Sequence, residues 1–263
     1  IEKERSIILD EINMVTDDPK FHQWVLFQKN LFSKHPAKNP VYGKKDTVKA
    51  ITQKQIINYY KSYYIPSNMT VSVVGNVNGI ISDIKKAFSD FKGRPLTTTS
   101  RILEPKQKKP KIVKEIKDIL QSYMVLGYKT PTRAHNDSYA LDIIKGHLGR
   151  GQSGRLFQQI RVKYGLAYDV GVLHEPGIDF GLFAVYAGTH KKNILKCRNI
   201  IRKEFDRLLA MTKSELSDAK SFIEGEYILT NEDNFRQANN INFFSLAGTA
   251  NDALNYSKRD RKS

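Results

Sequence analysis

Over residues 1–15, IEKERSIILDEINMV, the apolar positions recur with helical spacing. At about 100° per residue, Ile1, Ile7, Ile8, Ile12, Met14 and Val15 share one arc, and Glu2, Lys3, Ser6, Asp10 and Asn13 lie opposite. Glu4 and Glu11, seven positions apart and nearly stacked, fall in the middle of the apolar arc. A second helix is expected over DDPKFHQWVLFQKNLF, with Pro19 in its first turn. The connection SKHPAKNPVYGKKD is too rich in Pro and Lys for regular structure. TQKQIINYYKSYY predicts a third helix capped by Thr52. MTVSVVGNV alternates β-formers and predicts a strand, and VNGIISDIKKAFSDF, residues 77–91, predicts a fourth helix.

RPLTTTSRILEPKQKKPK, residues 94–111, breaks the periodicity and is the best candidate for a domain boundary. Beyond it, IVKEIKD and QSYMVLGYKT predict strands, and SYALDIIKGHLG and RLFQQIRVKYG predict helices. LAYDVGVLHE and DFGLFAVYAG predict a strand pair. NILKCRNIIRKEFDRLL and KSELSDAKSFIEGEYILTN predict long helices, with a further one near 233–247. Hairpin-like strands segregated from helices indicate an α+β chain rather than a doubly wound parallel sheet.

Composition narrows the class of protein only a little. At 263 residues and 40% hydrophobic content, the chain can bury one large core or two moderate ones. A mean hydropathy of −0.48 and the lack of a long apolar run argue against a membrane span. One cysteine, Cys197, excludes an internal disulfide framework and a cysteine-rich zinc site, and its place in a helical run makes it a plain helix residue. The net charge of +16 is large. Apart from KQKKPKIVKEIK at 106–117 and KRDRK at 258–262, the basic residues are dispersed, with no aromatic-interleaved stripe. A solvated lysine-rich surface, without a nucleic-acid partner, accounts for them.

Burying an unpaired carboxylate costs several kcal/mol. Three arrangements would relieve that cost at Glu4 and Glu11. They can sit at the edge of the buried face and reach water, pair with Lys or Arg, or have one bind a cation while the other supports it.

The wider sequence bears on that choice. ERSIILDEINMVTDDPKFHQWVLFQKNLFSKHPAKNPVYG, followed by ITQKQIINYYKSYYIPSNMTVSVVGNV, resembles the zinc peptidase family of pitrilysin, insulin-degrading enzyme and the mitochondrial processing peptidase. LGRGQSGRLFQQIRVKYGLAYDVG resembles that family's second homologous domain. The likeness runs in order from Glu2 to about Tyr227. It implies two homologous domains, each a mainly antiparallel sheet with helices packed on it: residues 1–103 as the C-terminal part of the first, 104–111 as a linker, and 112–263 as most of the second.

The resemblance also implies chemistry. In this family an H-x-x-E-H motif supplies two His ligands and a general base, and a Glu on a later helix completes the zinc site. That later Glu matches Glu11, and Glu4 matches a supporting carboxylate near the metal. Arg161 and Tyr168 match the family's Arg/Tyr pair, which faces the zinc site from the other domain. Tyr168 is expected to donate to the oxyanion, and Arg161 to hold substrate or order the Tyr. The six histidines of this chain do not form H-x-x-E-H. The expectation is therefore an internal piece of a longer zinc metalloendopeptidase, inactive alone, whose two His ligands lie upstream. The implied partners are peptide substrates and a homodimer or a heterodimer with a family subunit. The alternative is a non-catalytic peptide-binding or scaffolding member. The turn GRGQSG lacks the GK[ST] of a phosphate loop and is expected only to lead into a helix.

Overall fold

The computed structural model describes residues 1–90 and 101–256. The basic end at 258–262, residue 91 of the fourth helix and the 94–100 part of the boundary segment lie outside the described residues.

Helices α1 (Glu2–Asp17) and α2 (Pro19–Leu31) follow one another directly. Pro19 starts α2, and the Asp18 carboxylate accepts from the Lys20 N–H at 2.7 Å. A short helix α3 (Lys45–Ala50) begins at the end of the segment expected to be irregular and runs through residues for which no element was expected. Its local sequence gives little warning because its end is capped from far away. The Arg5 guanidinium donates to the main-chain oxygens of Val48, Lys49 and Ile51 at 2.6, 2.8 and 2.9 Å. A cation on the last carbonyls of a helix is a stabilising cap. Helix α4 (Gln53–Tyr63) begins at Thr52 with a capping box to Gln55, as its sequence predicts, and α5 spans Ile80–Phe88.

Two of the expected strands do not form among the described residues. Residues 69–77 and 112–118 have no ladder partner there. Alternation makes a segment fit for a sheet, but only a neighbouring strand satisfies its backbone. In the first, Met69, Val71 and Val73 point their apolar sides outward, at 43%, 52% and 41% exposure.

The sheet that does form is antiparallel, with β1 (Ser122–Lys129) and β2 (Ala167–Pro176) flanking β3 (Gly181–Thr189). Val185 of β3 faces Leu126 on one side and Val172 on the other. Buried on both faces, β3 carries side chains of two layers. Phe183, Val185 and Ala187 meet Leu148 of α6 (Asp137–Gly149), Leu156 and Ile160, and Cys197 and Ile201 of α7 (Ile194–Arg207). Leu182 and Ala184 meet Leu31 and Phe32, with Trp24 and Phe27 of α2 alongside. A third cluster, built on Tyr139, Ile223, Phe244 and Tyr256, joins α6 to α8 (Lys213–Asn231) and α9 (Asn234–Leu246).

Thus α2 roofs the sheet formed by the second half of the chain, and two features hold it there. The Glu104 carboxylate accepts from three successive main-chain N–H groups just past α2: Ser33 at 2.7 Å, Lys34 at 2.8 Å and His35 at 2.8 Å. Lys129 Nζ adds a fourth partner at 2.6 Å. Burial raises the pKa of this carboxyl, but those bonds outweigh it and hold it well below the usual range.

The second feature is Gly127. A Cβ there would lie 2.5 Å from the Phe27 ring and 2.7 Å from the Phe183 carbonyl oxygen. Gly127→Ala is therefore expected to lower stability by about 1–3 kcal/mol, as overpacking does. Thermal unfolding should show it, with partial recovery when Phe27 is also shortened to Leu. An unchanged midpoint would mean that α2 does not press on β1.

Candidate functional site

The Arg161–Tyr168 pair stands on three local irregularities. Arg161 lies in a π-helical stretch, Phe157–Lys163, which the short 3₁₀ turn Gly151–Ser153 precedes. Wide helical turns of this kind are uncommon and concentrate at functional sites. The stretch ends in a left-handed glycine cap, with Gly165 N–H donating to the Arg161 oxygen at 3.1 Å and Leu166 N–H reaching back to the Ile160 oxygen at 2.9 Å. Gly165 sits at φ 57°, where an L side chain would be strained, so glycine is required here. β2 then opens with a bulge: Ala167 pairs with Thr189 and Asp169 with Gly188, leaving Tyr168 without a cross-strand partner. A bulge re-aims a side chain that regular alternation would lay on the sheet.

Tyr168 is 73% exposed. The Arg161 guanidinium lies 4.3 Å from its ring centroid and 5.0 Å from that of Phe157. Arg161 Nη1 also donates to the Tyr168 main-chain oxygen at 3.2 Å. Arg161 thus fixes both the backbone and the ring of Tyr168. The phenol hydroxyl projects free of any hydrogen bond among the described residues.

The neighbouring Asp169 pairs with Lys20 at the start of α2, Nζ to Oδ2 3.4 Å. Lys117 Nζ donates to the Thr16 oxygen at 3.2 Å, and His22 Nε2 approaches Glu115 at 3.0 Å. The end of α1 is therefore tied to the second half of the chain, and the start of α2 to the residue beside Tyr168.

On α1 the described residues cover only part of the apolar arc. Ile12 is the buried residue, with Ile8, Leu9 and Val15 half-buried beside it. Glu4, Ile7, Glu11 and Met14 form a separate stripe at i, i+3, i+7 and i+10, and all four are exposed, Ile7 at 43% and Met14 at 72%. Helix α1 packs on α2 and α3 through its other side, so this stripe meets water. Neither carboxylate has an ion pair among the described residues. Nor do any three His, Cys, Asp or Glu side chains there come together to hold a metal ion. A lone carboxylate does not make a zinc site, but it can supply one oxygen ligand to a site that other residues complete.

Elsewhere in the interior one buried carboxylate gathers three donors. Asp142 on α6 accepts from Arg133 Nη1 at 2.7 Å, Tyr256 Oη at 2.6 Å and His174 Nδ1 at 2.6 Å. A carboxylate can only accept, so Nδ1 carries the proton. Sequence periodicity placed Asp142 simply on a helix and gave no sign of this network.

A layered α+β domain offering a bulged tyrosine clamped by an arginine is the class that fold and site define. The family model described as the peptidase M16 inactive domain matches residues 50–222, and the chain belongs to that family. It is 31% identical over 253 residues to an uncharacterized zinc protease of Streptomyces coelicolor, covering 92% of this chain and 54% of that protein. It is 32% identical over 243 residues to an uncharacterized zinc protease of Mycobacterium leprae, covering 89% and 54%. The chain thus spans about half the length of the curated relatives it matches. Among solved structures, a protease from Helicobacter pylori superposes with a TM-score of 0.88 at 24% identity, over 99% of this chain and 65% of that one. The peptidase M16 inactive domain from Pseudomonas fluorescens gives a TM-score of 0.76 at 18% identity, covering 98% and 63%. At these identities the superpositions support the fold alone. No helix among the described residues is long and apolar enough to cross a membrane.

Proposed function

We propose that the protein to which this chain belongs is a zinc metalloendopeptidase, and that this chain brings the Arg161–Tyr168 half of its site. The single observation that carries the reading is the bulged, arginine-clamped Tyr168 with its free hydroxyl, in a chain whose relatives are named zinc proteases. In this reading residues 1–103 close the first peptidase domain, 104–111 link, and 112–263 form most of the second, with substrate peptides enclosed between them. Tyr168 donates its hydroxyl proton as a hydrogen bond to the scissile carbonyl oxygen as negative charge builds there. Arg161 keeps the ring aimed and contacts the substrate backbone. Glu11, with Glu4 supporting it, would supply one ligand to a zinc ion whose two His ligands this chain does not carry, and the metal would acidify a water for attack.

The test is made on the intact protein. It should carry zinc, cleave a quenched unfolded peptide, and lose cleavage when a chelator is added. Glu4→Gln should weaken zinc retention about tenfold, as losses of supporting ligand contacts do. Cleavage that survives stripping of the metal would sink the reading. The family's description as an inactive domain favours a second reading, a non-catalytic peptide-binding or scaffolding subunit. Peptide binding with no cleavage in the zinc-loaded intact protein would decide for it.

A further inference from the structure

One turn after Arg161, an open cleft of about 450 Å³ lies between Tyr164 and the outer face of α7. Its polar lining is Lys192, Lys196, Asn199 and Lys203, at i, i+4, i+7 and i+11, and Leu195 and Ile200 supply apolar walls. Lys196, Asn199 and Lys203 make one stripe on α7, and Lys192 stands in the 3₁₀ turn that leads into it. No carboxylate lines the cleft.

The charge there is uncompensated. Lys163 and Lys196 bring their ammonium groups to 5.4 and 5.0 Å from the same ring, that of Tyr164. An aromatic face attracts each cation by only about 0.5–1 kcal/mol at an exposed site, while the two repel one another. None of Lys163, Lys192, Lys196 or Lys203 has an ion pair among the described residues. The buried acid of α7, Glu204, is already committed to Arg155 at 3.0 Å and Arg207 at 3.6 Å. Three cations thus line a concave, partly apolar surface, with Lys163 at the Tyr164 ring beside them and Tyr168 four residues further along the chain, and an anion bound there would relieve their repulsion.

We propose that this cleft is a specificity subsite for the carboxylates of an acidic peptide segment, seated on Lys192, Lys196 and Lys203 while the bond to be cut lies at Tyr168. The proposal rests on the peptidase reading above and adds the substrate class. Peptide fits better than a free small anion, because Leu195 and Ile200 give the cleft apolar walls that side chains can cover. The chain's strongly basic balance adds long-range attraction for the same substrates.

The experiment uses the intact protein and two quenched peptides of equal length, one bearing glutamates beyond the scissile bond and the other glutamines. Wild type should show a KM about tenfold lower for the acidic peptide with similar kcat, and added salt should erode the difference. The triple variant Lys192→Gln, Lys196→Gln, Lys203→Gln should erase the preference and leave cleavage of the glutamine peptide unchanged. The three Lys→Arg replacements should retain it, which a loss of fold would not allow. Fluorescence anisotropy of the labelled acidic peptide reads the same lysines without catalysis. If neither peptide is cut but the acidic one still binds through these lysines, the peptidase reading falls and the acidic-peptide cleft stands. Equal KM values for the two peptides would overturn the cleft and leave the peptidase reading intact. Displacement of the acidic peptide by inorganic phosphate at concentrations where free glutamate has no effect would assign the cleft to phosphate and overturn the proposal.

Discussion

Tyr168→Phe in the intact protein should lower kcat by about a hundredfold or more while moving KM little, because removing one oxyanion donor costs about 10²–10³ in kcat. The substitution is informative because of how Tyr168 is held. Arg161 grips the ring face at 4.3 Å and the main-chain oxygen at 3.2 Å, and a phenylalanine offers the same face and the same oxygen. What disappears is one hydroxyl that makes no hydrogen bond to any described residue. A purely structural role would leave the rate untouched, since nothing inside the described fold depends on that oxygen. A transition-state role predicts loss in kcat and kcat/KM together. Unfolding measurements should show wild-type stability, and single-turnover kinetics should place the loss in the chemical step. An unchanged kcat would remove Tyr168 from the mechanism. Arg161→Lys should give a smaller defect of the same kind. An ammonium can stay near the ring, but it lacks the planar fork that grips ring and oxygen together.

Much of the frame was readable along the chain, and the reasons are local. Thr52 with Gln55, and Thr212 with Glu215, are capping boxes visible as residue types three apart, and both helices start where those pairs say. The β2–β3 hairpin follows from its alternation, and Gly165 from its position past the Arg161 helix. What could not be read depends on partners distant in sequence. Helix α3 is finished by Arg5, more than forty residues away. Residues 69–77 and 112–118 have strand periodicity, but periodicity does not supply a neighbouring strand. The apolar arc carrying Glu4 and Glu11 is wider than the surface the described residues pack against it, so here only the Ile12 side of α1 is covered. The bulge at Tyr168 is a mismatch between two strands, invisible in either alone. The family resemblance located Arg161 and Tyr168 by motif. Their clamp, and the lysine cleft beside them, became visible only with coordinates.

The second large effect is expected at Asp142. Its carboxylate is 9% exposed and meets three donors from three places in the chain: Arg133 before α6, His174 on β2 and Tyr256 after α9. Arg133 in turn lies within 5.1–5.9 Å of the rings of Tyr139, Phe244 and Tyr256, and among the described residues its ion pair is with Asp142. Asp142→Ala would leave that guanidinium buried without its counter-charge, a change that typically costs about 3–5 kcal/mol. At the usual conversion for a chain of this size, about 2–4 °C per kcal/mol, the melting temperature should fall by roughly 10 °C.

Acid should reproduce part of the loss. Burial pushes the Asp142 carboxyl up, but the His174 hydrogen bond and the Arg133 charge and hydrogen bond outweigh it and hold it at about 2. A folded value below the unfolded one means the contribution is complete above about pH 4 and disappears as the pH falls toward 2. The drop of nearly two units corresponds to about 2 kcal/mol. Denaturant titrations between about pH 5 and 2 should therefore show wild type losing stability faster than Asp142→Asn, which has no proton to take up at this position. Parallel losses in the two proteins, or an Asp142→Ala cost below about 1 kcal/mol, would show that α6, β2 and the segment after α9 are held together by their apolar cluster, with the charge network adding nothing.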